Sequence, residues 1–177
     1  MKVLTLTQPW ATLVAIGAKR IETRSWATKY RGPLLIHAAA GLAPVGGNKG
    51  LYSLWETEPF YSVLHRWNAA RTEGPFHSID LLHRQRGAII ARCELVEVYE
   101  IPVGCTGFYA EDSSIHFPLT AQEHAFGDYT PGRFAWLLSD VQPFPEPIPA
   151  KGKLGLWEFD LPNHLTNQAI PLPNAVG

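Results

Sequence analysis

Cysteine is scarce in this sequence, with only Cys93 and Cys105 among 177 residues. So few thiols in a chain of this size fit a reducing compartment better than a secreted, disulfide-held scaffold, and both are expected to be free. No apolar run approaches the roughly 18 residues that mark a membrane-spanning helix. The opening stretch MKVLTLTQPW breaks at Gln8-Pro9 before a leader's apolar region could form. These absences predict a cytoplasmic protein with no membrane partner. Excess charge is missing too: a net charge of -1 and a pI near 6.6 argue against coating duplex DNA by bulk electrostatics. There is no H-E-x-x-H, no paired C-x-x-C and no internal repeat, and His65, His77 and His83 lack metal-ligand spacing with cysteine. The Lys151–Gly155 run is glycine-rich but lacks the spacing of a Walker loop or dinucleotide fingerprint. Neither a metal nor a cofactor is expected.

What the sequence does contain is enough for one substantial core, with 46% hydrophobic residues and six tryptophans. One domain over residues 1–161 is expected, with an insertion at about 39–86 and a polar, proline-bearing tail at 162–177. Charge is unevenly placed. Residues 1–36 hold Lys2, Lys19, Arg20, Arg24, Lys29 and Arg31 against Glu22 alone. A local basic surface on a mildly acidic body suits one anionic ligand better than a long polyanion; a solvated charged face is the alternative.

Along the chain, Lys2 to Leu6 has strand character, and Thr7-Gln8-Pro9 resembles a helix start with Thr7 as its cap. Trp10, Leu13, Val14 and Gly17 then follow helical spacing, which predicts a helix over 8–16 closed by Gly17. If 21–26 is a strand, its period of two places Glu22, Arg24 and Trp26 on one face and Ile21, Thr23 and Ser25 on the other. Acid, guanidinium and indole then project together beside Lys19, although an exposed Glu22–Arg24 pair would give the same pattern. In the loop Thr28 to Pro33, Lys29 and Arg31 flank Tyr30, a mixture that can engage phosphate by charge and a base by its π-face. Leu34 to Ile36 is a buried strand ending at His37, whose imidazole suits acid–base work or a structural hydrogen bond.

Further on, 39–50 is expected to be a Gly/Ala/Pro loop, and 51–71 two helical stretches broken near Pro59 with their aromatics forming a satellite core. Ile79 to His83 could continue as a short helix. Gly87 to Glu100 carries the strongest strand signal, with Cys93 inside it. Residues 101–130 are expected to be irregular apart from a short helix capped by Thr120, with His116 and His124 at the surface. Arg133 to Leu138 should be a strand, Pro143 to Pro149 an extended connection without ladder pairing, and Leu156 to Leu161 the closing strand.

Several separated motifs resemble the ASCH (activating signal cointegrator-1 homology) domain in the same order. They are Q-P-W-A at Gln8 to Ala11, G-x-K-x-x-E-x-R at Gly17 to Arg24, then Trp26, Thr28, Tyr30-Arg31-Gly32 and Leu34 to Ala38. Gly87 to Ala91 and Tyr129 to Trp157 agree with that family's central strand and closing segment. The resemblance implies an α+β chain: a PUA-like small mixed β-barrel flanked by helices, with a helical insertion after the third strand. It also implies a cleft beside the first helix for RNA, single-stranded nucleic acid or a modified nucleoside.

Ligand-binding candidates are Gln8, Trp10, Lys19, Glu22, Arg24, Trp26, Tyr30, Arg31 and His37. Some small relatives are amidohydrolases that remove the acetyl group of N4-acetylcytidine with lysine, threonine and glutamate. The family lysine falls on Lys19, but Glu22 stands where the hydrolases carry threonine, and their glutamate has no match. Lys19 and Glu22 would be catalytic only in a hydrolase, with Glu22 as base on water. A module for protein interaction in transcription or translation is the third expectation.

Overall fold

Two long antiparallel strands, β4 (Ala88–Glu100) and β7 (Phe134–Pro149), form the spine of the protein. The computed structural model describes residues 1–41, 47–69, 82–83, 85–109, 116–162 and 165. Around the spine lie β1 (Lys2–Leu6), α1 (Trp10–Ala15), β2 (Ile21–Arg24), β3 (Gly32–Ala38), α2 (Gly47–Trp55) and α3 (Phe60–Ala69). The hairpin strands β5 (Gly107–Tyr109) and β6 (His116–Pro118), the short α4 (Ala121–Ala125) and β8 (Leu156–Glu158) complete it.

The main sheet runs β2-β7-β4-β3-β1-β8. It is mixed, because β1 and β3 are parallel while the other neighbours are antiparallel. The β4–β7 ladder shifts register at Ile89/Ala91, Arg92/Glu94 and Leu95/Glu97. Each irregularity adds local twist, so the sheet curls into a half-barrel. With insertion helices α2 and α3 after β3, this is the α+β, PUA-like architecture that the motifs imply.

α1 lies inside the curl because its two faces are both apolar. Ala11, Val14 and Ala15 pack on Leu4, Leu34, Ile36, Cys93, Trp136 and Leu138, while Leu13 turns outward to Phe60, Leu64 and Phe126. Full burial of each large aliphatic side chain stabilises by about 1.5–3 kcal/mol. The helix is thereby clamped between the sheet and the insertion, whose aromatics form satellite clusters.

Its ends are held differently from the sequence expectation. Thr7 supplies its backbone carbonyl to Ala11 N–H, and Pro9 occupies the cap position without a side-chain hydrogen bond. Gln8 does the capping work instead, its Oε1 accepting from the Thr12 N–H at 3.2 Å and from the Thr12 hydroxyl at 2.9 Å. Gly17, at φ +74°, closes the other end as expected.

The proline-rich segment is a second correction, because Pro143 to Pro149 lies within β7. Ala150 N–H donates to Gly87, so the alternation of the strand turns neighbouring Pro149, which has no donor, toward the open edge. The pairing moves from Ile89↔Ile148 to Ala91↔Pro143, so a bulge takes up the prolines between. Residues 101–130 also hold more structure than expected: β5 and β6 form a hairpin whose Phe108 and Phe117 cover Ile21, Ala135 and Leu137. Strands of three residues are too short for a period to show. α2 begins at Gly47, within the stretch read as loop. Residues 42–46, most of the expected helix at 79–83 and most of the tail lie outside the described residues.

Both cysteines are unpaired, and burial pushes the Cys93 thiol well above its ordinary value. Among the described residues no helix is long and apolar enough to cross a membrane.

His37 lies on the sheet face opposite α1, beside Trp157 with ring centroids 5.7 Å apart. Its Nε2 donates to the Ala150 carbonyl at 3.0 Å, which leaves the buried Nδ1 as an acceptor without a partner. Burial lowers its pKa from the ordinary 6.5, against the raising effect of the Ala150 hydrogen bond. The unfolded chain therefore takes up a proton that the folded ring refuses. Stability linked to His37 should be fully present above about pH 6.5 and decline as pH falls below it. Thermal unfolding from pH 7.5 to 5 should show that decline in wild type relative to His37→Gln; parallel profiles would contradict it.

Candidate functional site

The turn between α1 and β2 is built around a buried ammonium. Lys19 is only 1% exposed, and its Nζ donates to the Ile21 carbonyl at 2.5 Å. The same atom lies 3.8 Å from Glu22 Oε2 and 3.8 Å from Glu123 Oε1. Glu123, from α4, also accepts the backbone N–H groups of Arg20 at 3.1 Å and Ile21 at 3.0 Å, and the Tyr129 hydroxyl at 3.3 Å. Its carboxyl pKa is raised, chiefly by desolvation, although Lys19 and these hydrogen bonds pull it down. Burial and the Glu123 carboxylate together hold the Tyr129 phenol far above its usual range.

Glu22 projects into the curl opposite Trp136, as strand parity requires. Arg24 follows on the same face, with Nη1 3.8 Å from Glu22 Oε1 and Nη2 donating to the Thr5 carbonyl at 3.0 Å. β8 covers β1 only from Lys2 to Leu4, so the Thr5 carbonyl lies just past the end of that pairing. Arg24 thus bridges β2 to β1 across the half-barrel. Trp26 meets Trp136 edge-on at 4.7 Å and stays half-buried. Thr23 points the other way, its hydroxyl accepting the Asp128 N–H at 3.1 Å.

Three groups here retain hydrogen-bonding capacity. The Glu22 carboxylate makes ion pairs but no hydrogen bond among the described residues. Arg24 Nε and Gln8 Nε2 are buried donors without partners among the described residues. Gln8 comes three residues after Thr5, whose carbonyl Arg24 holds. Trp10 opens the helix that follows, half-buried and edge-on to Phe60 at 6.3 Å. Glu22 and Arg24 thus share one ion pair on the inner face of β2, and Gln8, its Oε1 held by Thr12, keeps its Nε2 unfilled at the start of α1 among the described residues.

The structure does not bring all the candidates here. Arg31 pairs with Glu97 and donates to the Thr28 and Tyr30 carbonyls, so its guanidinium is tied down at the surface. The Tyr30 hydroxyl donates to Pro33 at 2.5 Å. His37 lies on the other face of the sheet.

The cation-rich start of the chain does not form a free basic face either. Lys2 pairs with Glu158, Lys19 and Arg24 with the buried carboxylates, and Arg20 lies over the Phe117 ring at 4.7 Å. Of the six cations, Lys29 alone is left without an ion pair or ring contact among the described residues.

Sequence reasoning missed Glu123, Tyr129 and the Thr5 carbonyl. Thr120-x-x-Glu123 has the spacing of a capping box, and the Thr120 hydroxyl does accept from Glu123 N–H at 3.1 Å. The Glu123 side chain, however, turns away to the β2 turn. Among the described residues no cluster of His, Cys, Asp and Glu could hold a metal ion.

Removing one partner of a buried ionic network costs about 3–5 kcal/mol, because the remaining charges lose their compensation. Lys19→Met should lower unfolding free energy in a urea titration by that amount, whereas exposed Lys29→Ala should leave the midpoint unchanged. Equal midpoints for Lys19→Met and wild type would show that the ammonium contributes nothing to the fold.

Comparison with known proteins places this geometry in context. A family model described as ASCH domain matches residues 4–146. Activating signal cointegrator 1 of Mus musculus is 54% identical over 41 residues, which is 23% of this chain and 7% of that protein. The Homo sapiens protein of the same name is 54% identical over 37 residues, 21% of this chain and 6% of its own length. The chain thus spans a small part of these relatives. The family match runs from β1 through most of β7, so the chain belongs to the ASCH domain family, which is generally linked to RNA binding.

Proposed function

We propose that this protein binds RNA, or a modified nucleoside within it, by reading a base edge between Gln8, Glu22 and Arg24. The observation that carries this reading is the set of buried polar groups left without partners: Gln8 Nε2 and Arg24 Nε as donors, beside a Glu22 carboxylate that makes no hydrogen bond among the described residues. A buried polar group left unpaired costs about 1–3 kcal/mol. A ligand that fills all three regains that cost as affinity and must match the pattern to do so. A base with an exocyclic amine next to ring or carbonyl acceptors has the complementary edge: its amine donates to Glu22, and its acceptors receive Gln8 and Arg24. The half-buried Trp10 and Trp26 offer apolar ring surface for the base.

The geometry favours binding over hydrolysis. Lys19, the counterpart of the hydrolase lysine, is buried with its ammonium on a backbone carbonyl, out of reach of a substrate oxyanion. Thr23, the hydroxyl nearest in sequence, faces away and is already hydrogen-bonded.

Titration of a labelled single-stranded RNA containing all four bases, and of the four nucleosides and N4-acetylcytidine, tests the proposal. Saturable binding is expected, weakened about tenfold or more by Glu22→Gln, in line with about 1–3 kcal/mol for a bidentate base contact. Arg24→Lys, which keeps the charge but removes Nε, should weaken it as well. Absence of saturable binding would overturn the reading. Acetyl loss from N4-acetylcytidine, abolished by Glu22→Ala, would replace it with hydrolysis.

A further inference from the structure

The loop Lys151–Gly155, between β7 and β8, is firmly anchored yet presents its side chains to water. At its base, Ala150 N–H donates to Gly87 and the Ala150 carbonyl accepts from His37 Nε2. Gly152 lies so close to the sheet that a Cβ there would meet His37 Cε1 at 2.6 Å and Thr5 Oγ1 at 3.3 Å. At its far end Trp157 donates its indole N–H to Thr5 Oγ1 at 3.0 Å, and Lys153 lies 5.7 Å over that indole ring. Thr5 is therefore a shared post. Its hydroxyl and flank hold the loop, while its carbonyl holds Arg24.

On this anchored loop, Leu154 is 99% exposed and follows Lys151 and Lys153 in the run Lys151-Gly152-Lys153-Leu154-Gly155. Folding gains nothing from an apolar side chain left in water, and an anchored backbone does not place it there through slack. Among the described residues neither Lys151 nor Lys153 has an ion pair, and the neighbouring acid Glu158 is taken by Lys2. The cations at the chain's start are mostly in ion pairs, whereas among the described residues Lys151 and Lys153 keep their charge without a carboxylate partner, Lys153 lying over the Trp157 ring.

We propose that the Lys151–Gly155 loop is an arm that grips the sugar–phosphate strand where it crosses the sheet edge at Thr5 from the base held at Glu22, with Lys151 and Lys153 on phosphates and Leu154 against a neighbouring base. The ligand is then a single-stranded oligonucleotide and not a free nucleoside. This rests on the base-recognition reading above, and it adds a part of the molecule that reading does not use. Lysines on phosphates give affinity without sequence preference, and the Glu22 group gives base choice.

The test compares wild type, Lys151→Ala/Lys153→Ala, Leu154→Ser and Glu22→Gln, since the loop side chains are exposed and their loss leaves the core intact. Each is titrated with a labelled mixed-sequence single-stranded RNA of about twelve nucleotides between about 50 and 200 mM salt, and with the free nucleosides. The double lysine variant should lower the slope of log affinity against log salt by about 1.4, at about 0.7 per phosphate contact on a single strand, and leave nucleoside affinity unchanged. Leu154→Ser should weaken the RNA and not the nucleosides. If the salt slope is the same in wild type and the double lysine variant while Glu22→Gln still weakens both ligands, the arm is overturned and base recognition stands. If Glu22→Gln changes neither ligand, base recognition fails, and the loop loses the site it was to serve.

Discussion

A single buried ammonium holds the functional end of this fold together. Lys19 connects the turn after α1, the start of β2 and the distant helix α4 through Ile21, Glu22 and Glu123. Taking such a charge out of water costs several kcal/mol unless opposite charges and hydrogen bonds surround it. That cost makes the arrangement cooperative. α4 must dock for Glu123 to reach the turn, and the turn must form for Lys19 to reach Glu123. Glu22 is held by this network from one side and by Arg24 from the other.

The same network gives Lys19 a structural role. A lysine that activates a hydroxyl or steadies an oxyanion needs a free ammonium at the cleft surface. This one is enclosed. The groups whose hydrogen bonds are unfilled among the described residues are an acid, one amide N–H2 and one guanidinium N–H.

Local order was legible in the sequence wherever the pattern is local. Period two placed Glu22 and Arg24 together and Thr23 apart, helical spacing and Gly17 found α1, and the apolar run found β4. The motif order pointed to the family and, through it, to the curled sheet. What stayed hidden depended on contacts between distant residues. Glu123 meets Ile21 across 102 positions, and Lys2 meets Glu158 across 156, so the six cations near the start looked free when most are paired. The ladder pairing of Pro149 was equally invisible, because a proline's fitness for a strand depends on which edge its missing N–H faces.

The bridge from Arg24 to Thr5 bears on how the molecule behaves among its own copies. Beyond Leu4, β1 has no strand partner on its outer side among the described residues, and a strand edge with a bare carbonyl is a template on which another chain can add. The guanidinium covers that carbonyl with a bulky, charged cap. One side chain thus both braces Glu22 and guards a sheet edge. An arginine at this position therefore serves solubility whether or not the cleft holds a ligand.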